Sequence, residues 1–457
     1  MVTPRPTMPA LSPPRGGPAR RLSTLAILLC TILPAAAWPP RSAHAAPRML
    51  TLAEALAMAR RSNPTLVAER AHLSQAKTSI EQAWAALFPT VTAQGRYARN
   101  NIGVSFPLSV FAQGASGTLV FQPLNQLDGT VNAAVPLLAP AAYPALQASE
   151  ISADAAGADY QTAQANLLYA VAQAYYSAAI ADEVITARQS SIEVARATLH
   201  NAETRFAAGT VTKVDVDRAE LAVVSTEQSL REARLADEQS YRALATLTGS
   251  NGPFRVEPLA PPQADRPDQD FDLQLALHLR PEFRALSLLA RAQRAQDRAF
   301  AWRWAPSLAA FGNAHIFNYD NFAEQRYAWA VGLELDWVLY DGGARDAQRH
   351  LAAAQAQETM ARAEVLSDSI RDDLANSQGA LDTKRHAQDA AARSVSLAME
   401  TLDLVRTQYQ AGSVTQIELL QAQDNLVAAQ EALARSHFDV AMADLTLRRA
   451  AGTFPGP

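Results

Sequence analysis

The chain has 457 residues, a formal net charge of −5 and only 7% aromatic residues. This acidic balance argues against nucleic acid as a partner, and after residue 45 no run of about 18 consecutive apolar residues predicts a membrane-spanning helix. Ala, Gln, Glu and Arg are frequent, a bias that favours long helices packed through small side chains.

Residues 1–45 are typical of a secretory signal peptide. A basic start with four arginines precedes the apolar run 22–33, and Ala43-His44-Ala45 has the form of a cleavage site, with Ala35-Ala36-Ala37 as an alternative. Cys30, the only cysteine, lies in the apolar run, so the exported chain is predicted to lack disulfides and thiol chemistry. Loss of the five arginines in this segment changes the formal charge from −5 to −10.

A first repeat is predicted over 46–249. The capping-box pair Thr51 and Glu54 begins a short helix, and Asn63 and Pro64 begin a second one that runs to about residue 88. Alternating side chains near 91–97 and 131–137, separated by a polar loop, predict a β-hairpin over 89–139. A stretch rich in Ala and free of proline then predicts two long helices, 145–208 and 212–247, joined by a turn near Gly209. The first would be about 95 Å long at about 1.5 Å per residue, so it needs a partner along its length.

A linker over 250–270, rich in Pro, Asp and Gln, leads to a second repeat over 271–452. Pro281 follows Pro64 by 217 residues and Gly412 follows Gly209 by 203, so the landmarks recur with a longer loop in the first copy. The second copy has a helix over 281–304, a β-hairpin over 306–340, a long helix to about 411 and a return helix over 415–450, followed by a tail over 453–457. We therefore predict an internal two-fold structural repeat built from one large unit.

The strand predicted over 327–339 carries the clearest membrane signal. Its odd-numbered positions are apolar and its even-numbered positions are small or acidic. Aromatic residues at both ends of the apolar face are typical of an outer-membrane strand with a polar lumen on its other face. This pattern predicts a lipid-facing girdle of Tyr327, Trp329 and Trp337 and lumenal Glu334 and Asp336. A soluble sandwich strand is the alternative.

Four predicted strands are too few to close a barrel. An open sheet edge in hydrocarbon leaves backbone groups unpaired, and closed barrels begin at about eight strands. Two chains would supply eight strands and three would supply twelve. A barrel of eight strands has an interior that side chains just fill, whereas twelve strands leave a passage. The acidic face at Glu334 and Asp336 indicates a water-filled lumen and therefore favours three chains.

The sequence contains none of the common motifs for catalysis or for binding of phosphate or metal. Gly114-Ala115-Ser116-Gly117 lacks the spacing of a nucleophile elbow, and neither a phosphate-binding loop nor an H-E-x-x-H motif is present. The eight histidines do not cluster. We predict no catalytic residue, no metal site and no cofactor.

Several motifs together resemble the TolC-like outer-membrane efflux protein family over about residues 50–452. The matching segments are Thr51-Leu52-Ala53-Glu54-Ala55-Leu56 before Asn63-Pro64, Arg205-Phe206 with Gly209 and Asp215-Val216, Tyr409 with Gly412 and Glu418-Leu419-Leu420, and Leu339-Tyr340-Asp341-Gly342-Gly343. The first copy departs from the last motif with Ala139-Pro140-Ala141-Ala142.

The resemblance implies a fold that is mainly α with a small transmembrane β part. It would be a homotrimer with a 12-stranded outer-membrane β-barrel, four strands per chain, continuous with a long periplasmic α-helical barrel. Such proteins are exit ducts of tripartite efflux pumps or type I secretion systems. They work with a periplasmic adaptor (membrane fusion) protein and an inner-membrane transporter of the RND, ABC or MFS type.

The resemblance also implies site residues. Adaptor contact would involve Ala208, Gly209 and Thr210 at one helix turn and Ala411, Gly412 and Ser413 at the other. Glu418 would line the closed pore, and Gln421 replaces a second family acid. Hydrogen bonds between Asp215 and Tyr409 would hold the gate. The family's basic partner is replaced by Val414, so that ion pair is absent.

The sequence thus predicts an outer-membrane export duct with a large periplasmic part, and it leaves the cargo and the transporter class open. The alternative is a periplasmic coiled-coil protein that tethers or spaces layers of the cell envelope. The alternating strand over 327–339 distinguishes the two, because a spacer does not need it.

Overall fold

The computed structural model describes residues 48–110, 116–250, 252–258, 272–319 and 325–454. The predicted signal peptide and most of the predicted linker lie outside these residues. Eight α-helices are found in the described part of the chain: α1 Leu52–Ser62, α2 Pro64–Ala85, α3 Ala142–Ala207, α4 Lys213–Thr248, α5 Leu273–Leu279, α6 Pro281–Trp302, α7 Ala344–Gln410 and α8 Gln416–Ala450. The described strands are β1 Arg48–Leu50, β2 Thr90–Arg99, β3 Val104–Pro107, β4 Thr118–Gln122, β5 Asn125–Leu138, β6 Phe254–Val256, β7 Ser307–Phe317 and β8 Tyr327–Asp336.

Four of the strands form one antiparallel sheet in the order β2-β5-β7-β8. The central pair, β5 and β7, joins segments that lie about 180 residues apart in sequence. One continuous row across the sheet runs Thr92, Asn132, Asn313 and Ala330. Within the described residues, β2 and β8 each pair on one side only.

The helices form a wall one layer thick that repeats the order of the strands. Next to the sheet, α2 packs on α3, α3 on α6, and α6 on α7. Farther away, α4 packs on α3, α3 on α8, and α8 on α7. Close approach is possible because the buried positions are mostly alanine, for example Ala285, Ala292 and Ala299 at seven-residue intervals on α6.

The largest core cluster lies where α1, α3 and α4 meet the small parallel pair β1 and β6. It contains Leu66, Leu168, Val171 and Leu244, each at most 1% exposed. Two tyrosine hydroxyls hold the strand pair: Tyr175 donates to the carbonyl of Leu50, and Tyr241 accepts from the backbone N–H of Val256.

Some predicted boundaries need correction. The polar loop predicted between the first two strands contains an additional hairpin, β3 and β4. Strand β8 ends at Asp336, three residues before the predicted end at 339. Trp337 therefore lies outside the strand, where its indole N–H donates to the carbonyl of Trp304 at 3.1 Å. The predicted linker contains β6, whose three residues are too few for a periodic signal.

None of the described helices carries an apolar stretch that is long and uncharged enough to cross a bilayer.

Candidate functional site

The four-stranded sheet has two faces of opposite character. Because side chains alternate along a strand, the register places residues from all four strands on each face. One face is apolar and exposed in the single chain: it carries Val91, Val131, Val135, Ile316, Tyr327, Trp329, Val331, Leu333 and Leu335. The other face is mostly polar: it carries Thr92, Gln94, Arg96, Asp128, Thr130, Asn132, Asn313, His315, Glu334 and Asp336.

The residues predicted on β8 divide between these faces. Glu334 is opposite Ala309 and Asp336 is opposite Ser307, both on the polar face. Tyr327 and Trp329 lie on the apolar face and are 54% and 69% exposed. A sheet with one apolar face and one polar face can separate lipid from water.

The polar face also brings together a cluster that the sequence did not reveal. Asp128 accepts a hydrogen bond from Gln126 Nε2 at 2.7 Å, and its other oxygen lies 3.4 Å from His315 Nε2. Arg96 is the cross-strand neighbour of Asp128. Only the pairing of β2, β5 and β7 makes these residues neighbours, so no local pattern could have indicated the cluster.

The two long helix pairs turn with the same backbone geometry. Gly209 has φ 74° and Gly412 has φ 76°, both in the left-handed region that glycine enters without a steric cost. Thr210 N–H donates to the Arg205 carbonyl, and Ser413 N–H donates to the Gln408 carbonyl. The predicted adaptor-contact residues, 208–210 and 411–413, therefore lie at two equivalent tips.

The carboxylates that follow the two turns, those of Asp215 and Glu418, differ in their hydrogen bonds. Asp215 accepts hydrogen bonds from the backbone N–H and the hydroxyl of Thr212, at 3.0 and 2.8 Å. These bonds, first of all that from the hydroxyl, lower the pKa of Asp215 below its usual value. At the second tip Thr415 accepts from the Glu418 N–H. Among the hydrogen bonds of the described residues, none engages the Glu418 carboxylate, which remains exposed.

Within the described part of the single chain Tyr409 makes no hydrogen bond to Asp215, and the link predicted for the gate of the assembled protein stays a prediction. Instead, the Arg205 guanidinium lies over the Tyr409 ring at 4.7 Å from its centroid. The contact joins the end of α3 to the end of α7. Asp215 is directed to its own helix terminus, where it accepts from the N–H of Thr212, the residue that caps α4.

An exposed face of α8 extends the predicted pore position. Glu418, Gln421, Asp424 and Asn425 are exposed, whereas Leu419 and Ala422 are buried. Gln421 donates to Asn425 at 3.3 Å. Asp424 was missed from the sequence, although its position three residues after Gln421 makes these two side chains neighbours on the helix surface.

Comparison with known proteins agrees with this architecture. The family model for outer membrane efflux proteins matches residues 55–250 and 273–453. Nodulation protein T of Rhizobium leguminosarum bv. trifolii is 24% identical over 298 residues, 64% of each chain. The chain spans slightly less than two thirds of the length of the first curated relatives that it matches. Outer membrane protein TolC of Vibrio cholerae is 25% identical over 430 residues, 88% of this chain and 90% of that one.

The fold is also similar to a solved structure. The CmeC outer membrane channel of Campylobacter jejuni superimposes with a TM-score of 0.74 at 17% identity, over 88% of this chain and 85% of that chain. The family match covers both helix-and-sheet segments and confirms the resemblance stated above. The chain belongs to the outer membrane efflux protein family, and it is a protein of the outer membrane.

Proposed function

We propose that three copies of this chain form a closed duct through the outer membrane. The observation that supports this most strongly is the four-stranded sheet, with an apolar face, a polar face and two edges that pair with no further strand among the described residues. Three such sheets, joined from β8 of one chain to β2 of the next, give twelve strands and leave no open edge in hydrocarbon. The polar face, with Glu334 and Asp336, would line the lumen.

The helical wall would continue the lumen into the periplasm. In the order α4-α3-α8-α7, the two outermost helices are α4 and α7. A three-fold arrangement places α4 of one chain beside α7 of the next and closes the ring. Matching lengths support an internal duplication: 22 residues in both α2 and α6, 66 in α3 and 67 in α7, 36 in α4 and 35 in α8.

The duct itself would do no chemistry, and its partners would supply the energy. We assign it to a tripartite efflux pump or a type I secretion system, with a periplasmic adaptor at the tips 208–210 and 411–413. An inner-membrane transporter of the RND, ABC or MFS class would complete the assembly. Small-molecule efflux is the favoured cargo class.

The gate would lie at the tips. Three copies of Glu418, with three of Asp424 one to two turns farther along α8, would ring the pore with carboxylates and favour cations. Tyr409 and Asp215 would meet across the seam between chains, because within one chain each has a different partner.

Single-channel conductance in planar bilayers tests this function, together with membrane fractionation and heat-modifiable migration. We expect a trimer in the outer-membrane fraction that forms cation-preferring pores. The E418Q/D424N double variant should conduct with weaker cation preference, whereas D217N, on α4 beyond the Asp215 cap, should not change it. A monomer released by osmotic shock that forms no pores would instead support the envelope tether.

A further inference from the structure

A cavity lies between α3 and α6, away from the helix tips and from the polar face of the sheet. Its volume is about 410 Å³, and it is lined by Gln147 and Ile151 of α3 and by Arg291, Arg294, Asp297 and Arg298 of α6. Cavities of about 300–1,000 Å³ hold small ligands or headgroups. This one lies between the two central helices of the wall, so the lateral edges used for trimer closure do not cover it.

The lining is strongly basic. Arg291, Arg294 and Arg298 are spaced by three and four residues, which places all three guanidinium groups on one face of α6. The lining contains a single carboxylate, Asp297, and its Oδ1 already lies 3.3 Å from Arg349 Nε on α7. The three arginines of the lining therefore outnumber its single carboxylate, which is shared with Arg349, and like charges at this spacing repel.

The contacts of these arginines leave donors available. Arg298 donates one bond to Gln147 Oε1 at 3.0 Å, and Arg294 contacts the sulfur of Met360. For Arg291 the described residues supply no hydrogen bond or ion pair, although its side chain lines the cavity and is exposed. A guanidinium carries five N–H donors, so a small anion could engage all three side chains at once.

The position of the three arginines along α6 indicates which ligand could reach the cavity. Arg298 is one turn before Trp302, the last residue of α6, and Trp302 lies on the same helix face and is 54% exposed. Strand β7 begins five residues later, at Ser307. At about 1.5 Å per residue, Arg298 and Arg291 lie roughly 6 and 17 Å from the helix end next to the sheet. An exposed Trp at this level is typical of the membrane interface.

We propose that the cavity formed by Gln147, Arg291, Arg294 and Arg298 binds a phosphate-bearing anion. The phosphate is either free in solution or the headgroup of a phospholipid, since arginine forks bind both in the same way. This site does not depend on transport by the duct, and it would be present whether or not the chain forms a pore.

The test measures binding to the purified full chain in detergent. Inorganic pyrophosphate is titrated by calorimetry, and phosphatidylglycerol retained through purification is measured by native mass spectrometry. The variant is R291Q/R298Q. R291Q alone is a second variant that removes no hydrogen bond or ion pair, because Arg291 makes none with the described residues. R284Q is the matched control: Arg284 is exposed on the same face of α6 but lies two turns from Arg291 and does not line the cavity.

We expect saturable binding to the wild type and to R284Q, weakened roughly tenfold or more in R291Q/R298Q and to a smaller extent in R291Q, because charge-assisted bonds are lost. Pyrophosphate binding alone identifies a soluble anion, and loss of retained phosphatidylglycerol identifies a lipid headgroup. The proposal is overturned if the wild type binds neither probe, or if R284Q loses binding as much as the double variant does.

Discussion

The ring of Tyr409, rather than its hydroxyl, makes the contact between the two tips of one chain. The Arg205 guanidinium lies over that ring, an interaction worth about 0.5–1 kcal/mol at exposed sites. We therefore expect R205A and Y409A to lower the thermal midpoint of the helical part, measured by circular dichroism. In the unassembled chain, where no seam to a neighbouring Asp215 exists, Y409F keeps the ring and should match the wild type. A loss in Y409F equal to that in Y409A would show that the hydroxyl holds the tip.

The carboxylate of Asp215 makes the cap of α4 dependent on pH. Its pKa is lowered in the folded chain, first by the hydrogen bond from the Thr212 hydroxyl. A carboxyl with a depressed pKa contributes stability above its unfolded value, about 3.9, and loses it as the pH falls through the folded value. D215A should therefore cost about 1 kcal/mol of unfolding free energy at pH 7, and this difference should shrink progressively as the pH falls through the lowered folded pKa. An undiminished difference between D215A and wild type in acid would contradict this.

The turn elements depend on backbone conformation rather than on space. A Cβ on Gly412 would meet nothing within 4 Å, but φ there is +76°. G412A should therefore destabilise by about 1 kcal/mol through the left-handed backbone alone. Gly379 is the matched control, because it lies inside α7 and is equally unobstructed but has no positive φ. G379A should stabilise by about 1 kcal/mol through helix propensity. Thermal midpoints that move in the same direction in both variants would refute this argument.

The sequence predicts the long elements well and the short ones poorly. The helix predicted over 145–208 spans Ala142–Ala207, because dozens of residues share one 3.6-residue period. The strands β1 and β6 have three residues each, and β3 has four. At the candidate site, the turn glycines and caps follow from local motifs, whereas the contact of Arg205 with Tyr409 joins residues about 200 positions apart.

Of the two tyrosine hydroxyls that hold the short parallel pair of β1 and β6, that of Tyr175 contacts both strands. Tyr175 donates to the Leu50 carbonyl at 3.0 Å and accepts from the Glu257 N–H at 3.2 Å, so it joins the ends of both strands. Y175F keeps the packing but removes both of these bonds, so that the Glu257 N–H and the Leu50 carbonyl retain only their mutual 3.4 Å bond, and the loss should cost about 1–3 kcal/mol. We expect faster amide hydrogen exchange at Glu257, whose N–H donates to the Tyr175 hydroxyl, with unchanged exchange in α8. Exchange that stays at the wild-type rate would mean that the strands pair without the hydroxyl.

At the scale of the whole molecule, the exposed apolar residues outside the sheet show where chains should meet. On α4 the buried residues Ala219 and Leu230 face α3. On the opposite side, Val214, Leu221 and Leu235 recur at multiples of seven residues and are 53%, 68% and 52% exposed. A seven-residue apolar stripe directed away from a helix's own partner is the pattern of a second helix–helix seam.

We therefore expect Leu221 to be buried between chains in the assembled duct. A Leu side chain contributes roughly 1.5–3 kcal/mol when fully buried, and three-fold symmetry repeats any change three times. L221E should leave the secondary structure intact, because the side chain touches little in the single chain, but should abolish the trimer band and the conductance. L221M preserves apolar volume and should retain both. If L221E still migrates as a heat-modifiable trimer with normal conductance, then α4 does not form the seam, and the ring must close through other helices.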